Sequence, residues 1–92
     1  MKIFVDIDNT ICLTEGNDYR NSEPLPEKIA IINNLYDEGH EITYWSSRGN
    51  DSGRDWMVFT EHQLRTWGCK YTNLWLSKPS YDIFYEDKSR IL

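Results

Sequence analysis

Cysteine, proline and histidine are scarce in this sequence, at two, three and two residues. Cys12 and Cys69 make no metal-type or redox-type spacing, so a zinc module and a disulfide scaffold are both excluded. Reduced thiols in a cytoplasmic protein are the expectation. His40 and His62 have no metal-ligand partner at useful spacing, which removes a histidine-based metal centre. No apolar run is long enough to span a bilayer, and the N-terminal MKIFVDID meets charge too early for a signal peptide. Basic residues are in deficit, with ten Lys and Arg against fifteen Asp and Glu, a net charge of −5. That balance argues against a nucleic-acid backbone or an anionic membrane as the main partner. It leaves room for a small anion held by a local cluster.

What is present suits one small globular domain over residues 1–92. Hydrophobic residues make up 39% and there are four tryptophans, so the chain is not disordered. No repeat or low-complexity tract interrupts it. Lys2 to Ile7 is a short apolar run rich in β-branched and aromatic residues, as in a buried strand. Residues 14–24 form a polar loop. Pro24 and Pro26 open a helix whose apolar positions are Ile29, Ile32, Leu35 and Tyr36, with Gly39 as its stop. Glu41 to Trp45 is a second strand. Thr60-Glu61-His62-Gln63 has the pattern of a capping box, which predicts a helix from near Thr60 to Gly68. Tyr71 to Leu76 reads as a weak third strand and Ile83 to Tyr85 as the core of a fourth. Alternating strands and helices imply a parallel sheet with right-handed crossovers. Ligands of such sheets bind beyond the carboxyl ends of the strands.

Polar residues gather at those ends. Asp6, Asp8 and Thr10 follow the first strand. Ser46, Ser47 and Arg48 follow the second. Lys78 precedes the fourth, and Glu86 and Asp87 follow it. Residues i and i+2 of a strand point to one side, so Asp6 and Asp8 should face one crevice. Two like charges there need a counter-charge. Magnesium is one candidate, since it takes one or two carboxylates together with water and a substrate phosphate. Asp6 with Glu86 or Asp87 could supply those carboxylates, and the backbone carbonyl of Asp8 could complete the set and leave its side chain free. Asp6 suits attack on phosphorus. Asp8 suits proton transfer to the leaving oxygen and from water. Ser46 suits a hydrogen bond to a phosphate oxygen and Lys78 suits charge neutralisation.

With these residues in view, the chain resembles the haloacid dehalogenase-like (HAD) phosphatases. DIDNT is similar to their first motif, DxDxT. YWSSRG resembles the second, with Ser46 at the hydroxyl position. KPSYD supplies the third-motif lysine, Lys78. FYEDK resembles the acidic fourth motif. The likeness runs from residue 3 to 89, and GRDWMVFTEHQLRTWG with KPSYD is similar to a small capless subgroup, some of whose members are associated with surface-polysaccharide or sugar-phosphate genes.

The resemblance implies a three-layer Rossmann-like α/β domain with about four parallel strands in the order 3-2-1-4 and no cap. It implies a Mg²⁺-dependent phosphatase that acts through an aspartyl-phosphate on a small phosphorylated metabolite, such as a sugar phosphate or a nucleotide. Thr10, Ser47, Arg48, Tyr19 and Arg54 are then candidate substrate contacts; Arg48 equally suits pairing with an acidic neighbour. Thr14 to Glu23 and Gly49 to Asp55 are the candidate lids. Glu86 stands where the family usually has aspartate. Its extra methylene shifts the carboxylate by about 1.5 Å, which leaves Asp87 as the alternative ligand. The chain ends soon after the fourth strand, where related domains continue into a helix. One sheet face should therefore lack cover, and a homo-oligomer is expected to bury it. The rival functions are a weak or inactive metal- or phosphate-binding relative, a phospho-receiver, and a polynucleotide-end phosphatase.

Overall fold

The computed structural model describes residues 1–92. In chain order it contains β1 (Lys2–Val5), β2 (Cys12–Leu13), β3 (Glu23–Pro24), α1 (Pro26–Asp37), β4 (Glu41–Trp45), α2 (Met57–Thr66) and β5 (Asn73–Trp75). A single 3₁₀ turn, Tyr19–Asn21, lies between β2 and β3. β1, β4 and β5 form one parallel sheet in the order β1-β4-β5. β2 and β3 make a separate two-residue antiparallel ladder.

The register fixes which side chains share a face. Ile3 lies opposite Ile42 and Val5 opposite Tyr44, while Phe4 lies opposite Thr43 and Trp45 opposite Trp75. Since side chains alternate along a strand, Ile3, Val5, Ile42, Tyr44 and Leu74 point one way. They meet Ile29 and Ile32 of α1 and Leu64 of α2 in a single apolar core. Both crossovers step the same way across the sheet, so right-handed connections put both helices on that one face. α1 begins with Pro26 at its first turn, buries Ile29 and Ile32 at helical spacing, and ends before Gly39 at φ +95°. A left-handed residue at that position stops a helix without the steric cost a Cβ would bring.

The opposite face carries Phe4, Trp45 and Trp75. Phe4 packs edge-on against both tryptophans at 5.5 Å between centroids, yet Phe4 is 48% and Trp75 46% exposed. The domain therefore has two layers, not three. The helix-free face is the uncovered one expected from the sequence.

Two further expectations are corrected. Ile83 to Tyr85 form no strand: the sheet has three strands, and all three of these residues are exposed. Without a partner ladder, an apolar tripeptide has no periodic burial to hold it extended. The order 3-2-1-4 is thus present only as its first three members. The second helix starts at Met57, where the Asp55 carboxylate accepts the Met57 N–H at 2.9 Å. Thr60 lies inside it and is fully buried. The i, i+3 spacing of a capping box is also the spacing of two residues on one helix face, and Thr60 and Gln63 are used that way.

Candidate active site

The carboxyl ends of β1 and β4 and the segment after β5 enclose a cleft of about 320 Å³, lined by Asp6, Asp8, Ser46, Ser47, Lys78, Pro79, Ser80 and Tyr81. β1 ends at Val5, and the chain then turns through Asn9 in the left-handed region, φ 62°. Asparagine tolerates that conformation, and its side-chain oxygen accepts the Thr14 N–H at 3.1 Å. The turn brings both aspartates to the same cleft.

Their surroundings differ. Asp6 is half-open, accepts its neighbour Ile7 N–H at 3.0 Å, and has Lys78 Nζ 3.4 Å from Oδ2. The Lys78 ammonium also lies 5.8 Å from the ring centre of Trp45 and 5.4 Å from that of Tyr81. Those aromatic walls hold it over the cleft. The Lys78 N–H donates to the Ser46 carbonyl at 3.2 Å, which ties the segment after β5 to the end of β4. Ser46 is buried, and its Oγ accepts the Arg48 N–H at 3.1 Å.

Asp8 is engaged on both oxygens. Arg48 Nε donates to Oδ2 at 2.9 Å and Nη2 to Oδ1 at 2.8 Å. Thr14 Oγ1 adds a third bond to Oδ1 at 2.7 Å. The Arg48 guanidinium is wholly buried. Its Nη1 donates to Thr60 Oγ1 at 3.1 Å and Gln63 Oε1 at 2.8 Å, and its plane sits 4.7 Å from the Tyr19 ring centre. Gln63 Nε2 in turn donates to the Tyr19 carbonyl at 2.8 Å. Arg48 is therefore the counter-charge of Asp8, the second of the two roles the sequence left open for it. A fork of donors matched to a carboxylate is the geometry arginine provides and lysine does not. Burial, followed by the neighbouring Asp8 charge, raises the Tyr19 phenol above its ordinary value. Burial likewise raises the Cys12 thiol, which lies between Thr14 and Asp8.

A second cleft of about 260 Å³ adjoins the first through shared Ser47 and Ser80; Asn17, Tyr19, Gly49, Asp51, Ser52, Arg54 and Trp56 complete its lining. Of the expected substrate contacts, Tyr19, Ser47 and Arg54 gather here. Thr10 lines neither cleft; it sits in the turn after Asp8, its N–H bonded to the Ile7 carbonyl at 3.1 Å.

Glu86 and Asp87 are likewise absent from the cleft. Both are exposed, and no three His, Cys, Asp or Glu side chains gather as a metal-holding group. Glu86 turns to its own tail instead, where the Ser89 hydroxyl, then the Lys88 and Ser89 backbone, hold its carboxyl below the usual range. Of the expected magnesium ligands, Asp6 and Asp8 line the cleft, and Glu86 and Asp87 do not. Asp6 faces Lys78, the Asp8 side chain faces Arg48, and neither Glu86 nor Asp87 joins them in the cleft. Both like charges are offset by cations of the chain itself.

Trp56, Ser80 and Tyr81 line the two clefts, and Thr14, Thr60 and Gln63 complete the Asp8–Arg48 network, without having been singled out for it from the sequence. Only Thr60 and Gln63 carry a sequence signal, their i, i+3 spacing on α2.

No family model and no curated protein matches the chain. No helix is long and apolar enough to cross a membrane. A crystal structure of a target protein from Vibrio cholerae is similar over 94% of this chain and 78% of that one, with 24% identity and a TM-score of 0.79. At that identity the likeness establishes a shared fold, a small α/β domain built on a parallel sheet.

Proposed function

We propose that the chain is a phosphomonoesterase whose nucleophile is Asp6. The observation that carries this reading is the pairing of a half-open carboxylate, Asp6, with a Lys78 ammonium 3.4 Å away, in a cleft also lined by Ser46 and Ser47. A phosphoryl group seated there meets a cation and two hydroxyls, and phosphoryl transfer asks mostly for positioning and charge neutralisation. An Asp6 oxygen bonds to phosphorus as the ester P–O bond breaks. The leaving oxygen takes a proton, and water then attacks phosphorus, releasing phosphate and restoring the Asp6 carboxylate. Asp8 lines the same cleft and is the group placed to move these protons. Doing so requires one of its oxygens to leave Arg48.

No step here is routed through a metal; of the acidic set expected for Mg²⁺, Asp6 and Asp8 line the cleft and Glu86 and Asp87 do not. The substrate class remains the small phosphorylated metabolite implied by the HAD resemblance. A cytoplasmic setting and self-association over the Phe4–Trp75 face belong to the same reading.

The test is phosphate release from sugar phosphates, nucleotides and an aryl phosphate, with and without Mg²⁺, for the wild type and Asp6→Asn. Release that disappears in Asp6→Asn supports the reading. A second reading, a phosphate-binding relative without turnover, is favoured by the full engagement of Asp8 and the missing third acid. Phosphate bound with no ester hydrolysed under any condition selects it.

A further inference from the structure

We infer that the second cleft is the leaving-group subsite and that it selects a hydroxyl-bearing ring carrying a second anion. This rests on the reading of the Asp6–Lys78 cleft as the phosphate site. Ser47 and Ser80 line both clefts, so a phosphate ester held by Lys78 projects its organic part directly into the second. At about 260 Å³ that space is close to the roughly 300 Å³ lower bound of small-ligand sites.

One unspent cation, Arg54, lines its wall, and a second, Arg20, lies against the same tryptophan. Arg54 lies 5.9 Å from the ring centre of Trp56, and Arg20 lies 5.5 Å from the same ring and 5.9 Å from that of Phe59. Neither guanidinium takes part in an ion pair, although acidic residues outnumber basic ones fifteen to ten. The one hydrogen bond of Arg54 with a side chain is made by its backbone N–H, to Ser52 Oγ at 3.2 Å. One stacked arginine on an exposed tryptophan is ordinary surface packing. Two unpaired guanidiniums on one indole, one of them lining a cleft continuous with the phosphate site, form an anion station.

The loop presenting Arg54 is built, not slack. Gly49 has φ +88°, and a Cβ there would come 2.3 Å from the Arg54 carbonyl oxygen. The Gly53 N–H closes on the Gly49 carbonyl at 2.8 Å, and the Asn50 amide donates to the Lys78 carbonyl. The anion station and the phosphate lysine therefore share one frame. The remaining lining chooses the ring. Asn17, Ser47, Ser52 and Ser80 both donate and accept hydrogen bonds, and Asp51 accepts only. Those groups match sugar hydroxyls, and the Asp51 charge confines the ligand's anion to the arginine end. Tyr19 and Trp56, edge-to-face at 5.0 Å, wall the apolar side.

The test compares a hexose phosphate, a sugar-acid phosphate and a hexose bisphosphate on the wild type, Arg54→Gln and Arg20→Gln. Phosphate release gives KM, and the Trp56 indole N–H resonance reports binding without turnover. The wild type is expected to favour the two second-anion substrates by about tenfold or more in KM, the worth of one charge-assisted hydrogen bond, and Arg54→Gln to erase that preference. A larger gain for the sugar acid assigns a carboxylate; a larger gain for the bisphosphate assigns a phosphate. If no substrate is hydrolysed but the Trp56 resonance moves at lower concentration with the second-anion compounds, the subsite stands and the catalytic reading falls. Equal KM values and equal titrations for all three compounds overturn the subsite while leaving the phosphatase intact. No Trp56 response with no hydrolysis overturns both.

Discussion

Arg48 grips both carboxylate oxygens of Asp8, at 2.9 and 2.8 Å, from a guanidinium with no exposed surface. The pair joins the end of β1 to the loop after β4, and through Thr60 and Gln63 it fastens both to α2. A protein of 92 residues with nine buried apolar side chains has little other core to rely on. Removing Arg48 leaves Asp8 and the two α2 side chains without their partner. Arg48→Met is expected to cost about 3 kcal/mol in urea unfolding, the lower end for a broken buried pair because Asp8 keeps some water access. Arg48→Lys should recover little, since a point charge cannot replace the fork. Adding Asp8→Asn to Arg48→Met should return part of the loss. A single-variant cost below about 0.5 kcal/mol would put Arg48 among ordinary surface pairs.

Gly49 and Gly39 separate two costs of a positive φ. Both are in the left-handed region, at +88° and +95°, but only at Gly49 would a Cβ meet backbone, the Arg54 carbonyl oxygen at 2.3 Å. Gly39→Ala should therefore lose about 1 kcal/mol, the conformational penalty alone. Gly49→Ala should lose about 2–3 kcal/mol, since the loop must also shift. Thermal unfolding of the two variants side by side checks the ordering. Equal losses would mean the 49–55 loop yields freely, which would also weaken the case for a fixed Arg54.

The contrast between these two glycines indicates what sequence could reveal. Local patterns were legible. Glu41–Trp45 is read with its exact bounds because a run of β-branched and aromatic residues sits between polar ends. Pro26 and Gly39 bracket α1 for backbone reasons that hold in any context. The convergence of Asp6, Asp8, Ser46 and Lys78 follows from parallel topology, which the strand–helix alternation dictates. Pairings across the chain were not legible. Arg48 suited substrate or acid equally until Asp8, forty residues away, was placed against it. Ile83–Tyr85 has the composition of a strand, but composition cannot supply the neighbouring backbone that a strand needs. Thr60 and Gln63 fit a cap and a helix face with the same spacing.

Burial pushes the Cys69 thiol up from 9.0 to about 11, and raises the Cys12 thiol and the Tyr44 phenol as well. Tyr44 Oη lies beside the Cys69 thiol and has no other hydrogen-bond partner. In the unfolded chain Cys69 ionises near pH 9, while the folded chain still holds its proton. Between pH 9 and about 11 the folded state binds more protons, so stability falls as pH rises. The contribution is complete below pH 9 and gone above about 11. Urea midpoints should be flat from neutral pH to about 8.5 on this account and drop steadily beyond. Cys69→Ala should flatten the alkaline slope. An unchanged slope in that variant would assign the alkaline loss to other groups.

The face carrying Phe4, Trp45 and Trp75 has no helix over it, and Tyr81 and Phe84 leave further aromatic surface open, at 52% and 58% exposure. Contiguous apolar surface of more than a few hundred Å² is uncommon on soluble monomers. A two-fold dimer would set Phe4 and Trp75 of one copy against the same face of the other, with roughly 800 Å² per partner needed for a stable contact. Sedimentation of the wild type at micromolar concentration should therefore give a dimer or larger species. Phe4→Glu with Trp75→Glu should shift it to monomer, because two carboxylates per copy would face two more across the axis. Both positions are half-exposed edges of the sheet, so the folded monomer should survive, checked by an unchanged far-ultraviolet dichroism spectrum. A wild type that sediments as a monomer at that concentration would instead mean the three rings shield one another enough, through their edge contacts at 5.5 Å, for the open face to stand alone.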